Sequence, residues 1–146
     1  MLGDTDPSLE ALGSNAFPLE GLVEYSFSET QWTNLSSTSH GGTSFGGGAG
    51  FAVLGEGLYV PIFGAQGILI FLGGDAPSVQ TQWATEGLSL APMNQIVVYD
   101  IDSRTFHVQT AGGTIPKSRT SFCAVGAGSS ENSTWETYVA TIFSQF

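Results

Sequence analysis

Five consecutive large apolar residues, Ile68-Leu69-Ile70-Phe71-Leu72, stand between Gly67 and the pair Gly73-Gly74. No other stretch of the 146-residue chain limits its fold so strongly. The run is too short to cross a bilayer and too rich in branched and aromatic side chains for a surface helix. A strand buried on both faces fits it. The closing glycines let the chain leave that strand abruptly through positive φ. Such a strand is not stable alone, so further layers must pack on both of its sides.

Composition says what those layers are made of. Hydrophobic residues at 41% and aromatics at 12% suffice for a core and argue against global disorder. Twenty glycines, with abundant Ser and Thr, point to short strands and tight turns. The net charge of −10 disfavours nucleic acid and anionic membrane surfaces as partners, since both attract Lys and Arg. It serves solubility instead. The three basic residues, Arg104, Lys117 and Arg119, fall in one short segment, which reads equally as a local positive spot or as scattered solvated charges. The single cysteine, Cys123, lies in the apolar run Phe122-Cys123-Ala124-Val125 and reads as a small buried hydrophobe. The opening MLGDTDPSLE is acidic and lacks the apolar run of a secretory signal, and no stretch is long enough for a membrane span. A mature piece of a secreted protein would read the same way.

Taken in order, residues 1–20 read as a flexible acidic lead-in. Period-two alternation predicts a hairpin over 21–35, turning at 28–30. Residues 36–50 are rich in Gly and Ser and read as a loop without fixed structure. A strand over 51–60, interrupted at 55–57, precedes the central strand. A second long connection, 75–92, leads to strands over 94–101 and 105–110. Strands over 120–125 and 134–143, with a loop at 126–133, complete about eight short strands and no helix.

Two of these hairpins repeat. Residues 23–32 align without gaps on 97–106 at an offset of 74, so that Tyr25 meets Tyr99, Phe27 meets Ile101 and Trp32 meets Phe106. Inward aromatics pack on a neighbouring layer while polar turn residues face water. A repeated four-stranded unit is the signature of a β-propeller, whose blades bury their faces against one another.

The runs FLGG at 71–74, VVYDID at 97–102, QTAGGTIPKSR at 109–119 and FCAVGA at 122–127 occur in an order that resembles the Kelch repeat. The chain looks most like the divergent Kelch proteins of filamentous fungi, which share the galactose-oxidase-type propeller. Phe106 stands where that family usually has Trp, and the last strand lacks the Gly pair. The resemblance implies an all-β, partial Kelch-type propeller over 21–146: about one complete four-stranded blade at 51–110, with half-blades at 21–35 and 119–143. Propellers close with at least four blades, so the chain reads as a fragment of a larger protein or a truncated gene product. Half-blades lack neighbours, so the isolated chain is expected to be unstable or self-associating, with Tyr25, Phe27, Trp32, Phe122, Val125 and Tyr138 partly open.

Chemistry-bearing residues are few. His40 lies in the Gly-Ser loop and His107 on a hairpin strand, where a metal site wants three or more ligands at short spacing. The copper of galactose oxidase, held by tyrosine and histidine beside a cysteine–tyrosine crosslink, finds no matching set here. Gly126-Ala127-Gly128-Ser129-Ser130 is not a nucleophile elbow, and the glycines at 46–50 precede a strand rather than a helix. Asp100 and Asp102 have their ordinary place at a turn. Sequons at Asn34 and Asn132 are little more than chance supplies in a chain this rich in Ser and Thr. The expectation is a Kelch repeat-containing, non-catalytic binding module without cofactor, metal or catalytic residues. It would take a protein or carbohydrate partner through its blade-end loops. The alternative is a piece of a galactose-oxidase-like enzyme, secreted or at the cell surface.

Overall fold

A computed structural model describes residues 21–41, 55–75, 90–131 and 133–140. The lead-in 1–20 and much of both long connections lie outside the described residues. Eight strands form three antiparallel sheets: β1 (Leu22–Ser26) with β2 (Gln31–Leu35); β3 (Glu56–Val60), β4 (Ile68–Leu72), β5 (Gln95–Asp100) and β6 (Thr105–Thr110) in consecutive order; and β7 (Cys123–Gly128) with β8 (Trp135–Ala140). The described residues include no α-helix, only a 3-10 turn at Thr38–His40. The fold is all-β.

The apolar run is an inner strand, as its composition demands. β4 pairs with β3 on one side and β5 on the other, with Leu69 opposite Tyr99 and Phe71 opposite Val97. The strand expected over 94–101 is thus the antiparallel neighbour of the apolar run; it starts at Gln95 and ends at Asp100, and Ile101 belongs to the following turn. Alternation divides the sheet into two faces. Val97, Tyr99 and Phe106, with Leu69, Phe71 and Val108, pack against Leu22 and Leu35 of the first sheet. On the opposite side Leu72 and Ile96 pack with Met93, Phe122, Ala124 and Val139. The four-stranded sheet is thus covered on both faces, and β3 and β7, the first strands of their sheets, lie side by side. Consecutive sheets stacked face to face are consistent with a partial propeller.

The repeat is visible in detail. Tyr25 lies opposite Trp32 in register, and Tyr99 lies opposite Phe106. Both ring pairs have centroids 4.8 Å apart, tilted by 50° and 47°. The turns match as well: Ser26 Oγ accepts from the Glu29 amide and Asp100 Oδ1 from the Ser103 amide. Thr30 and Arg104, equivalent at the offset of 74, both adopt positive φ, 52° and 56°.

Gly73 and Gly74 take φ of 57° and 95°, the abrupt exit the pair permits. The Gly74 amide then donates to the Arg119 carbonyl at 3.0 Å, and the Ala91 amide to the Gly74 carbonyl at 2.9 Å.

Several expectations need correction. The strand placed at 120–125 is β7 at Cys123–Gly128, because Ser121 turns the chain at φ 51° and Phe122 plugs the core before pairing begins. Gly126 and Gly128, read as loop, are strand residues under the Trp135 ring; a Cβ on Gly126 would collide with that ring. β8 runs Trp135–Ala140, and 141–143 lie outside the described residues. The described part of the strand expected at 51–60 begins at Glu56, and Gly57 is one of its members. The loop expected at 36–50 has local order at its start, in the 3-10 turn. The one-sided register of β7 exposes Cys123 and buries Phe122, the reverse of the expectation for both.

Candidate interaction surface

Antiparallel strands in consecutive order send their connections to opposite ends of the stack. The tight turns at 27–30, 61–67, 101–104 and 129–134 occupy one end. The connections at 73–94 and 111–122 leave from the other end of the second and third sheets and meet there, whereas the start of 36–55 lies beside Phe106, where a Cβ on Gly41 would press on the Phe106 carbonyl.

The tight-turn end is stitched together. Gln66 Nε2 donates to Asp102 Oδ1 at 3.2 Å, the Tyr59 hydroxyl to the Gln66 carbonyl at 3.2 Å, and the Ile101 amide to the Gly67 carbonyl at 3.5 Å. Arg104 Nη2 donates to Glu24 Oε1 at 2.9 Å across two sheets. Both side chains are largely exposed, so solvent screens the pair and it adds little to stability. Tyr99 lies beneath this pair, 2% exposed. Burial raises its pKa, opposed by the neighbouring Arg104 and reinforced by Glu24. Tyr99 and Glu24 in turn raise the pKa of Arg104. The Tyr99 hydroxyl has no well-aligned hydrogen-bond partner among the described residues.

A pH dependence follows from Tyr99. A phenol whose pKa is raised by folding gives full stability below its unfolded value of about 10, and that contribution is lost as pH rises through the folded value. Tyr99→Phe should change stability at pH 7 by no more than about 1 kcal/mol and should melt with a shallower alkaline decline than the parent. Parallel thermal melts at pH 8 to pH 11 provide the check. Equal alkaline slopes would contradict it.

The opposite end holds the connections 73–94 and 111–122. Asp75 and Leu90 form an antiparallel bridge that closes the neck of one connection. Asp75 is fully buried there, Ser37 is fully buried next to Leu35, and both have interaction partners. His40 Nδ1 lies 2.8 Å from the Ser36 carbonyl, which fixes the start of another connection. Ile115 and Lys117 are exposed on the third.

The residues singled out by type are dispersed. His107 Nε2 lies 3.0 Å from Thr105 Oγ1 on a strand surface, far from His40 along the chain. No group of three or more His, Cys, Asp or Glu gathers among the described residues. Asp100 and Asp102 serve the β5–β6 turn. Arg104 belongs to the tight-turn end, whereas Arg119 meets Gly74 at the other, so the three cations make no single spot. Asn34 is exposed within β2, and Asn132 lies outside the described residues. The Glu24–Arg104 link escaped sequence reasoning, since its partners are 80 residues apart. The 74-residue repeat was the one signal that could have placed those two segments together.

No family model matches the chain, and no solved structure matches it. The chain is 34% identical over 93 residues to a Kelch repeat-containing protein of Arthroderma benhamiae, a match covering 62% of this chain. The match spans about 12% of that relative's length. The similarity, together with the all-β sheets, supports a divergent Kelch-type family and a partial Kelch-like propeller. No helix among the described residues is long and apolar enough to cross a membrane.

Proposed function

We propose that residues 21–146 form a Kelch-type propeller segment serving as a non-catalytic interaction module. It takes a protein or carbohydrate partner in the loops at one end of the blades. The observation that carries this reading is the meeting of two long connections, 73–94 and 111–122, at one end of the stacked sheets through the Gly74–Arg119 hydrogen bond, the first closed at its neck by the Asp75–Leu90 bridge. Anchored loops on rigid sheets vary in sequence without disturbing the core, which is the usual way a scaffold carries recognition. The relative's Kelch repeats support the same role.

The test screens the purified chain on a glycan panel and a displayed peptide library. Hits are then re-measured with residues 78–87, or separately 43–52, replaced by a Gly-Ser linker. Each replacement should leave the strand circular dichroism unchanged, and at least one should weaken binding tenfold or more. Hits that bind both variants like the parent, or no hit from either library, would refute the reading.

A further inference from the structure

The strands are out of phase with the sheets: two, then four, then two. β1 and β2 repeat β5 and β6 in register, ring pairing and turn conformation. β7 lies beside β3 and opens the next sheet as β3 opens its own, so β7 and β8 correspond to β3 and β4. The first sheet is therefore the second half of a four-stranded unit, and the last is the first half. In the complete sheet, β4 pairs antiparallel with β5. The equivalent edges, on β8 and β1, have no strand partner among the described residues. Unpaired edges of this kind are templates for another chain.

The exposed apolar side chains follow the same logic. Tyr99 and Phe106 are buried because the first sheet covers their face, yet their counterparts Tyr25 and Trp32 have no such cover among the described residues, and Trp32 is 69% exposed. Val23 and Phe27 share that open side. Val125 (63% exposed) and Tyr138 (57%) lie opposite each other on the outer face of the last sheet. Tyr59, on β3, lies beyond the reach of the two-stranded first sheet and is half-exposed.

We propose that copies of this chain join head to tail. β8 of one copy pairs along its open edge with β1 of the next, and β7, β8 and the second copy's β1 and β2 become one four-stranded sheet. Stacking then continues as it does within the chain. The outer half of the first copy's β3–β6 sheet covers Val23, Tyr25 and Trp32 of the second. Val125 and Tyr138 of the first copy cover the second copy's Tyr59. One joint thus completes a sheet, closes two edges and buries five of the nine large hydrophobics exposed among the described residues. The second copy is the occupant because its own open edge and open face are what the first lacks. The interface is heterologous, so it closes only into a ring or runs on as a filament. Each copy adds two four-stranded equivalents, and propellers hold about four to eight blades. The ring would accordingly contain about two to four copies.

The test is sedimentation velocity on purified residues 1–146 across a wide concentration range. Salt should strengthen association by screening the net charge of −10. A discrete species of two to four copies is expected. Trp32→Lys blocks one side of the joint and Val125→Lys the other, and each position is exposed enough to leave the strand circular dichroism intact. Each variant alone should be monomeric. An equimolar mixture of the two should form a dimer, because one unblocked joint remains. A parent that stays monomeric at ~100 µM, which would put any Kd above about that concentration, would overturn the proposal and leave these faces to other segments of a longer polypeptide. So would variants that still associate singly, or a mixture that stays monomeric.

Discussion

Phe106→Ala is expected to cost about 3–5 kcal/mol of stability, whereas Trp32→Ala, at the equivalent point of the repeat, should cost less than about 1 kcal/mol in the monomer. The two rings have the same register, the same partner type and nearly the same stacking geometry. They differ in cover: Phe106 is 4% exposed and lies in a cluster with Leu35, Val97 and Tyr99. Truncating it removes transfer free energy and leaves a cavity between two sheets that cannot both collapse inward. Since an ordinary domain holds only about 5–15 kcal/mol in total, the loss should lower the melting temperature by roughly 6–20 °C, at about 2–4 °C per kcal/mol for a chain of this length. Thermal melts of the two variants at low concentration decide it. Equal losses would mean that the first sheet does not cover the second as described.

Gly73→Ala is expected to cost about 2–4 kcal/mol, combining left-handed strain with overpacking. Gly73 sits at φ 57°, and a Cβ there would stand 2.8 Å from the Phe122 ring, 3.0 Å from the Arg119 carbonyl oxygen and 3.0 Å from Met93 Sδ. The ring and the sulfur belong to the cluster that joins the second sheet to the third, so neither has free space to retreat into. Gly112→Ala is the control, because nothing lies within 4 Å of its Cβ position and its φ is not in the positive range. It should be neutral or stabilise by up to about 1 kcal/mol. Chemical denaturation of both variants measures the difference. A Gly73 variant as stable as the Gly112 variant would refute the close packing of the strand exit.

These two residues also mark what the sequence conveys. The apolar run with its Gly pair identified β4 and its exit, because a doubly covered strand and a positive-φ turn leave local signatures. The gapless repeat conveyed more: it matched Tyr25 with Tyr99 and Trp32 with Phe106, the four residues that form the two equivalent ring pairs. The strand at Cys123–Gly128 was less legible. Its glycines look like loop residues, and what makes them strand residues is Trp135, which covers them from the paired strand. Cys123 and Phe122 were misassigned for the same reason, since a shift in where pairing starts exchanges inward and outward positions. The Arg104–Glu24 link depends on how two sheets stack and has no local signature. The long connections were legible only from length and composition, which carry no information on how 73–94 is held at Asp75 and Leu90.

Every described sheet pairs strands that are neighbours along the chain, with no strand skipped. Synthesis at about 5–20 residues per second would deliver each hairpin to solvent complete, before the next begins. The first sheet would be waiting, its Leu22 and Leu35 exposed, when Tyr99 and Phe106 emerge to cover it. Maturation then proceeds in the direction of translation, and non-local loop closure, the step that ordinarily slows β-rich chains, is confined to the long connections.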